Sequence, residues 1–285
     1  MNLPIPFPDE IALIIDNALR EDVGPGDFSS LASISADAMG KAKLIVKDTG
    51  VIAGVQLALE IFKKVDSTLQ VTVFISDGSL VKHGDEVLHV SGSSQSILKA
   101  ERLVLNSMQR MSAIATKTHH YVSLLEGTGT QILDTRKTTP GFRACEKWAV
   151  LIGGGQNHRF GLYDMIMLKD NHIDFCGGIA KAVQKTKQYL VDNQLDLRIV
   201  VEARNLQEVQ EILAEGGIYR ILLDNFDYDT TRKAVALVNG QCQTESSGNI
   251  NELTLRKYAD CGVTHISSGA LIHSVYNMDL SLKAF

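Results

Sequence analysis

The sequence predicts an α/β protein, a mixed α/β N-terminal part followed by a closed or nearly closed α/β barrel of parallel strands. Three observations carry that reading. Beyond about residue 112, short apolar runs alternate with amphipathic helical segments. The last four runs begin at 197, 220, 242 and 264, a spacing of 22 or 23 residues, which suits one strand-loop-helix-loop unit. Each run also leads into polar residues. Near-continuous apolar strands separated by amphipathic helices are the mark of parallel βα units. Periodicity alone fits a doubly wound open sheet as well, so the polar strand ends carry the distinction.

The first hundred residues read as mixed α/β. Pro8-Asp9-Glu10 opens a helix whose apolar residues Ile11, Ile14, Ile15 and Leu19 keep helical spacing, and Gly24-Pro25-Gly26-Asp27 breaks it. Strand patterns follow at 42–46, 69–75 and 86–90, punctuated by Asp77-Gly78 and Gly84-Asp85. Residues 96–109 form a helical pattern with Ile97, Leu103, Leu105 and Met108 on its apolar side. Strands are then expected at 131–134, 165–169, 197–201, 220–223, 242–244 and 264–267, with a helix at 206–214 carrying Val209, Ile212 and Leu213. The domains divide as 1–111 and 112–270.

Composition narrows the function classes. At 285 residues, 45% hydrophobic and 21% charged, with 5 prolines, the chain is neither disordered nor a disulfide scaffold. No uncharged apolar stretch approaches the ~18 residues of a membrane span, and no secretory signal is read in Met1-Asn2-Leu3-Pro4-Ile5-Pro6. The four cysteines are scattered without a CxxC, which reads as reduced thiols in a cytoplasmic protein and not as a zinc site. A net charge of −5 argues against general nucleic-acid binding, so any anion site depends on local clustering of cations.

Such clustering is present. Thr135-Arg136-Lys137 stands at one strand end, Asn157-His158-Arg159 follows the Gly153-Gly154-Gly155 turn, and Lys169 ends the next strand. One basic pair is usually a solvated face. Several converging at the C-terminal end of a barrel make an oligoanion pocket, with arginine as a planar fork and lysine as a mobile point charge. Ser246-Ser247-Gly248 and Ser267-Ser268-Gly269 follow the last two strands and precede expected helices, where backbone N–H groups suit a phosphate. Neither a P-loop nor a GxGxxG fingerprint is present. Glu202 and Asp224 end adjacent strands. Carboxylates so placed suit Mg2+, ribose hydroxyls or a developing positive charge, and equally a structural ion pair.

The block Asp134-Thr135-Arg136-Lys137-Thr138-Thr139-Pro140-Gly141, Glu146-Lys147, Gly153-Gly154-Gly155, Asn157-His158-Arg159 and Lys169-Asp170-Asn171-His172 resembles the quinolinate phosphoribosyltransferase family, the carboxylating nicotinate-nucleotide pyrophosphorylases. Leu223-Asp224-Asn225-Phe226, Glu245-Ser246-Ser247-Gly248, Ser268-Gly269-Ala270-Leu271, Glu21-Asp22 and Glu101-Arg102 extend the likeness almost end to end. The resemblance implies an N-terminal α/β domain plus an open α/β barrel with parallel strands, and that 271–285 return to the first domain. It implies a homodimer, alone or as the unit of a higher oligomer, in which Arg102 reaches into the partner's site. It further implies that Arg136, Lys137, His158, Arg159 and Lys169 line the pyridine-dicarboxylate and diphosphate pocket. Glu202 and Asp224 then address ribose and Mg2+, and the two Ser-Gly turns the 5′-phosphate. Two departures are visible. Asn249 stands where relatives often have a second glycine, a position that asparagine tolerates in left-handed backbone, and the second acidic residue common after Glu202 is absent.

The activity so implied is phosphoribosyl transfer from phosphoribosyl pyrophosphate to quinolinate with decarboxylation, Lys137 and Lys169 gripping the two carboxylates. The competing readings are a molybdenum-associated paralogue, nicotinate as acceptor, and a non-catalytic barrel that binds sugar phosphates.

Overall fold

The computed structural model describes residues 5–285; Met1–Pro4, on which the reading of the N-terminus partly rests, lie outside the described residues. In chain order the elements begin α1 (Pro8–Val23), α2 (Phe28–Ser33), β1 (Met39–Val46), β2 (Gly50–Val51), α3 (Val55–Val65), β3 (Gln70–Val73), β4 (Leu80–Val81), β5 (Glu86–Ser93) and α4 (Ser94–Leu124). They continue β6 (Gln131–Leu133), α5 (Arg143–Ile152), β7 (Ile166–Leu168), α6 (Asp170–Cys176), α7 (Ile179–Asp192), β8 (Ile199–Ala203) and α8 (Leu206–Glu215). The remainder are β9 (Arg220–Asp224), α9 (Tyr228–Val238), β10 (Gln243–Ser247), α10 (Leu255–Ala259), β11 (His265–Ser267), α11 (Ala270–His273) and β12 (Leu280–Ala284). Contacts divide them between two units. One holds the chain up to His119 with Thr138–Gly154 and Leu271–Phe285; the other holds His120–Lys137 and Gly155–Ala270.

The first unit is built on an antiparallel sheet in the order β12-β1-β5-β3. β1 alternates buried and less buried positions along its second half, as a strand with one covered face does. Its other neighbour, β12, comes from the far end of the chain, with Ala42 opposite Ala284 and Val46 opposite Leu280. Proline at the first turn with Asp9 and Glu10 starts α1; Asp27 caps α2 by accepting from the Ser30 amide at 3.2 Å. The helical pattern at 96–109 continues through a 31-residue helix. Its extension runs through Ser112 and Thr116, poor helix formers, whose hydroxyls accept the Ala53 and Val51 amides at 2.9 Å each. Buried Met111, Ile114 and Ala115 supply the packing that overrides local propensity there.

Strand pairing settles the second unit as a barrel. The six parallel strands lie in the order β6-β11-β10-β9-β8-β7, so from β7 to β11 each pairs with the next in sequence. The last then pairs with the first: Ser267 of β11 lies opposite Leu133 of β6. A doubly wound sheet reverses its strand order and does not close on itself in this way. Gln156 extends the ring by one bridge, accepting from Asp134 N at 3.1 Å and donating to Ile132 O at 2.9 Å. Among the described residues no pairing joins Gln156 to β7, and the barrel is open there.

Register defines what faces inward. Glu202, Leu222, Glu245 and His265 are successive partners across β8, β9, β10 and β11. Alternation along each strand places Arg220 and Asp224, Gln243 and Ser247, and Ser267 on that same face. The opposite face carries Val201, Ile221, Leu223 and Ile266, all fully buried and apolar, against which the helices pack. Glu202, Glu245 and Ser246 therefore lie within strands, whereas their polarity alone ends the predicted runs at 201 and 244.

Candidate active site

Parallel strands bring all the chemistry of the second unit to one end. Thr135, Arg136 and Lys137 follow β6, Lys169 follows β7, Asp224 ends β9, and Ser247-Gly248 and Ser268-Gly269 leave β10 and β11. That C-terminal end is where barrels of this kind carry ligands. Arg102 belongs to the other unit, on α4, its side chain 68% exposed and 3.3 Å from Glu101.

The carboxylates interact. Glu202 is half-buried; burial raises its carboxyl above the ordinary range, the Asp224 charge raises it further, and Lys169 opposes both. Asp224 is oriented by Asn225, whose Nδ2 donates to Asp224 Oδ2 at 2.9 Å while its own backbone is left-handed at φ +54°. Two carboxylates within electrostatic reach of each other suit a divalent cation. Mg2+ in particular is held by one or two protein carboxylates completed by substrate phosphates. Among the described residues no group of three or more acidic, histidine or cysteine side chains forms a protein-only cage.

The cations are anchored differently. Arg159 is buried, and burial and then the Arg136 charge lower its guanidinium, opposed by Asp164, so the two arginines lie within electrostatic reach. Arg159 Nη1 donates to Met165 O at 3.2 Å. Lys137 and Lys169 have exposed side chains on fixed backbone: Lys137 N donates to Thr135 Oγ1 at 3.1 Å, and Lys169 N to His172 Nδ1 at 3.1 Å. Two arginines within electrostatic reach of each other and two exposed lysines form a set suited to an anion.

The two small-residue turns differ. Gly248 has φ +99°, and a Cβ there would stand 2.1 Å from Asn225 Oδ1; Asn249 follows at φ +51°, in the left-handed region that asparagine tolerates. Ser247 faces inward with Glu245. Ser246 lies on the opposite face, its buried hydroxyl without a hydrogen-bond partner. The helix expected straight after this turn begins only at Leu255, whereas α11 starts directly after Gly269. Ser268 donates its amide to Leu133 O at 3.1 Å and its hydroxyl to Ile250 O at 3.3 Å.

Below this rim lies a buried polar layer that the apolar runs conceal. Arg220 Nη1 donates to Glu245 Oε2 at 2.9 Å, and its Nε and Nη2 fork onto Gln243 Oε1 at 3.1 and 2.9 Å. His158 Nε2 stands 3.3 Å from the same Glu245 oxygen. Burial would raise the Glu245 carboxyl; His158, Arg220 and the Ser267 hydroxyl outweigh it and hold the carboxyl at about 2. His265 is pushed down to about 4 by burial and then by Arg220. The signal in the sequence is parity: Arg220 sits two residues before Leu222 and four before Asp224, and so shares the face of the site.

Comparison with known proteins follows from this geometry. Residues 27–112 match the family model "Quinolinate phosphoribosyl transferase, N-terminal domain", and residues 114–283 match its C-terminal domain. A rice protein named nicotinate-nucleotide pyrophosphorylase [carboxylating], chloroplastic, is 47% identical over 96% of this chain and 77% of its own length. A tobacco quinolinate phosphoribosyltransferase [decarboxylating] 2b, mitochondrial, is 45% identical over 93% of this chain and 80% of its own. The crystal structure of NadC from Streptococcus pyogenes superposes with a TM-score of 0.91 at 36% identity, covering 99% of this chain and 98% of that one. The names of the two plant relatives correct one expectation. They place those proteins in chloroplast and mitochondrion, so the cytoplasmic assignment does not stand. Free thiols argue against an oxidising compartment, but they do not separate a cytosol from the reducing interior of an organelle.

Proposed function

This chain belongs to the quinolinate phosphoribosyl transferase family, and on that premise we propose that it transfers phosphoribosyl from phosphoribosyl pyrophosphate to quinolinate, releasing CO2 and pyrophosphate and leaving nicotinate mononucleotide. One observation carries the reading. A chain of net charge −5 gathers Arg136, Lys137, Arg159 and Lys169 with Glu202 and Asp224 at one end of a single barrel.

Both reactants are polyanions, and in water they repel each other. Arg136 and Arg159 supply fixed positive charge, and Lys137 and Lys169 mobile charge, so the encounter is oriented before any bond changes. Glu202 and Asp224 face the ribose, where positive charge develops as the C1′–O bond breaks and pyrophosphate leaves with the electron pair. The same two carboxylates would hold Mg2+, which when bound neutralises charge on the diphosphate. The pyridine nitrogen then bonds C1′. The carbon bearing the adjacent carboxylate loses CO2, its electron pair is stabilised by the pyridinium, and a solvent proton replaces it. Lys137 and Lys169 hold the two carboxylates, and Ser247, Gly248, Ser267, Ser268 and Gly269 line the side of the 5′-phosphate. A homodimer with shared sites gives exposed Arg102 its role at the partner's pocket.

The test is release of labelled CO2 from carboxyl-labelled quinolinate in the presence of phosphoribosyl pyrophosphate and Mg2+. Stoichiometric nicotinate mononucleotide is expected; product from nicotinate but none from quinolinate would assign another acceptor, and binding without turnover would make the barrel a sensor. Lys137→Ala should lower kcat/KM for quinolinate by about a hundredfold, the effect of losing one charge-assisted contact of about 3 kcal/mol. A near-normal value would remove Lys137 from the substrate.

A further inference from the structure

We propose that Glu245, braced by Arg220, is a positioning residue: it fixes which nitrogen of His158 carries the proton, and through His158 it sets the backbone that aims Arg159 at an anionic substrate. The inference rests on the reading of Arg159 as a substrate cation.

Two hydrogen bonds and one close approach define the arrangement. The His158 amide donates to Asp134 Oδ1 at 2.8 Å, which ties the segment to the end of β6. The Arg159 amide donates to His158 Nδ1 at 2.7 Å. A nitrogen that accepts carries no proton, which assigns the ring's hydrogen to Nε2. That Nε2 stands 3.3 Å from Glu245 Oε2, an acceptor fully enclosed by protein. Nδ1 is thus hydrogen-bonded and Nε2 is enclosed beside a carboxylate oxygen, and the imidazole acts on the site through Arg159.

The brace behind Glu245 explains how a carboxylate persists there. Arg220 donates to the same oxygen at 2.9 Å, and Gln243 occupies the rest of its fork, which leaves the guanidinium one geometry. A buried ion pair contributes little net stability compared with apolar packing, and barrel interiors are ordinarily filled by branched apolar side chains. A pair serving stability alone has no need of a third partner. Here the third partner is a histidine one residue from Arg159, and that adjacency points to positioning.

Replacing the pair together, Arg220→Met with Glu245→Leu, tests this without leaving either charge buried alone. Arg220 and His158 meet the same Glu245 oxygen, so the double variant takes away the acceptor that faces Nε2. The ring hydrogen is then no longer held there and can move to Nδ1, where it opposes the Arg159 amide. The expected result is a rise of tenfold or more in KM for quinolinate, with kcat changed less than threefold. In 15N-histidine spectra, with His158 assigned by its loss in His158→Asn, Nδ1–H should appear beside Nε2–H. Spectra that stay wholly Nε2–H with unchanged KM in the folded double variant overturn the proposal. The wild-type protein gives a second test should that variant not fold: its His158 must show the neutral Nε2–H form. A charged ring or an Nδ1–H form overturns the proposal, and because this spectrum needs no turnover, failure of the assigned reaction and failure of this inference are read separately.

Discussion

Gly248 shows how little room the turn after β10 allows. Its φ of +99° is hostile to side chains, and a Cβ would stand 2.1 Å from Asn225 Oδ1. Asn225 cannot simply yield, because its amide nitrogen orients Asp224 at 2.9 Å and its oxygen accepts from Asn249 Nδ2 at 3.4 Å. Gly248→Ala should therefore cost about 1–3 kcal/mol in backbone strain and also displace a carboxylate. The expected outcome is a thermal midpoint lower by several degrees together with a higher KM for phosphoribosyl pyrophosphate. A midpoint shift with unchanged KM would separate the turn from the phosphate. At this scale the sequence was informative: Asn249 was expected to accept left-handed backbone, and it does so at φ +51°. Parity puts Arg220 on the face of the site, but its partners Gln243 and Glu245, and the partner Asn249 of Asn225, lie more than 20 residues away, where local pattern does not reveal them.

The strands of the second unit were legible as elements but not in register. The runs predicted at 197–201 and 242–244 are strands at Ile199–Ala203 and Gln243–Ser247, displaced toward their polar ends. A polar residue reads as a loop until the barrel offers it an interior partner, as Arg220 and His158 do for Glu245. The buried layer so created makes this unit sensitive to acid. His265 faces Arg220, Glu245 and His158, and its imidazole titrates at about 4 in place of 6.5. The unfolded chain takes up that proton first, so stability is lost as pH falls from 6.5 toward 4. Glu245, held at about 2 against an ordinary 4.5, contributes stability that is present above 4.5 and lost as pH falls toward 2. Each group contributes a slope of at most about 1.4 kcal/mol per pH unit within its window. Urea midpoints measured from pH 7 to pH 5 should fall, and His265→Gln should flatten that limb. A flat wild-type profile between those values would show that His265 is not held neutral.

For the whole molecule the question is where Arg102 acts. Four barrel cations stand in one unit, and Arg102 projects from a helix of the other, 68% exposed and paired only loosely with Glu101. An exposed arginine on a rigid helix is a poor stabiliser of its own fold, since such pairs contribute about 0–1 kcal/mol, but it is well placed to complete a neighbour. In a two-fold dimer with shared sites, Arg102→Ala and Lys169→Ala damage opposite contributors to each site. Alone, each variant is inactive at both sites. In a mixed dimer both lesions fall in one site and the other is intact. Random exchange of equal amounts makes about half the dimers mixed, so activity should recover to about a quarter of wild type. Lys137→Ala mixed with Lys169→Ala gives the control: both lesions lie in the barrel, every site keeps one of them, and no recovery is expected. Exchange is verified by mixing tagged and untagged subunits and isolating mixed dimers. A mixed dimer of Arg102→Ala and Lys169→Ala that stays inactive would place Arg102 at its own subunit's pocket or outside catalysis altogether, and sharing would be withdrawn while the chemistry of the barrel end stood.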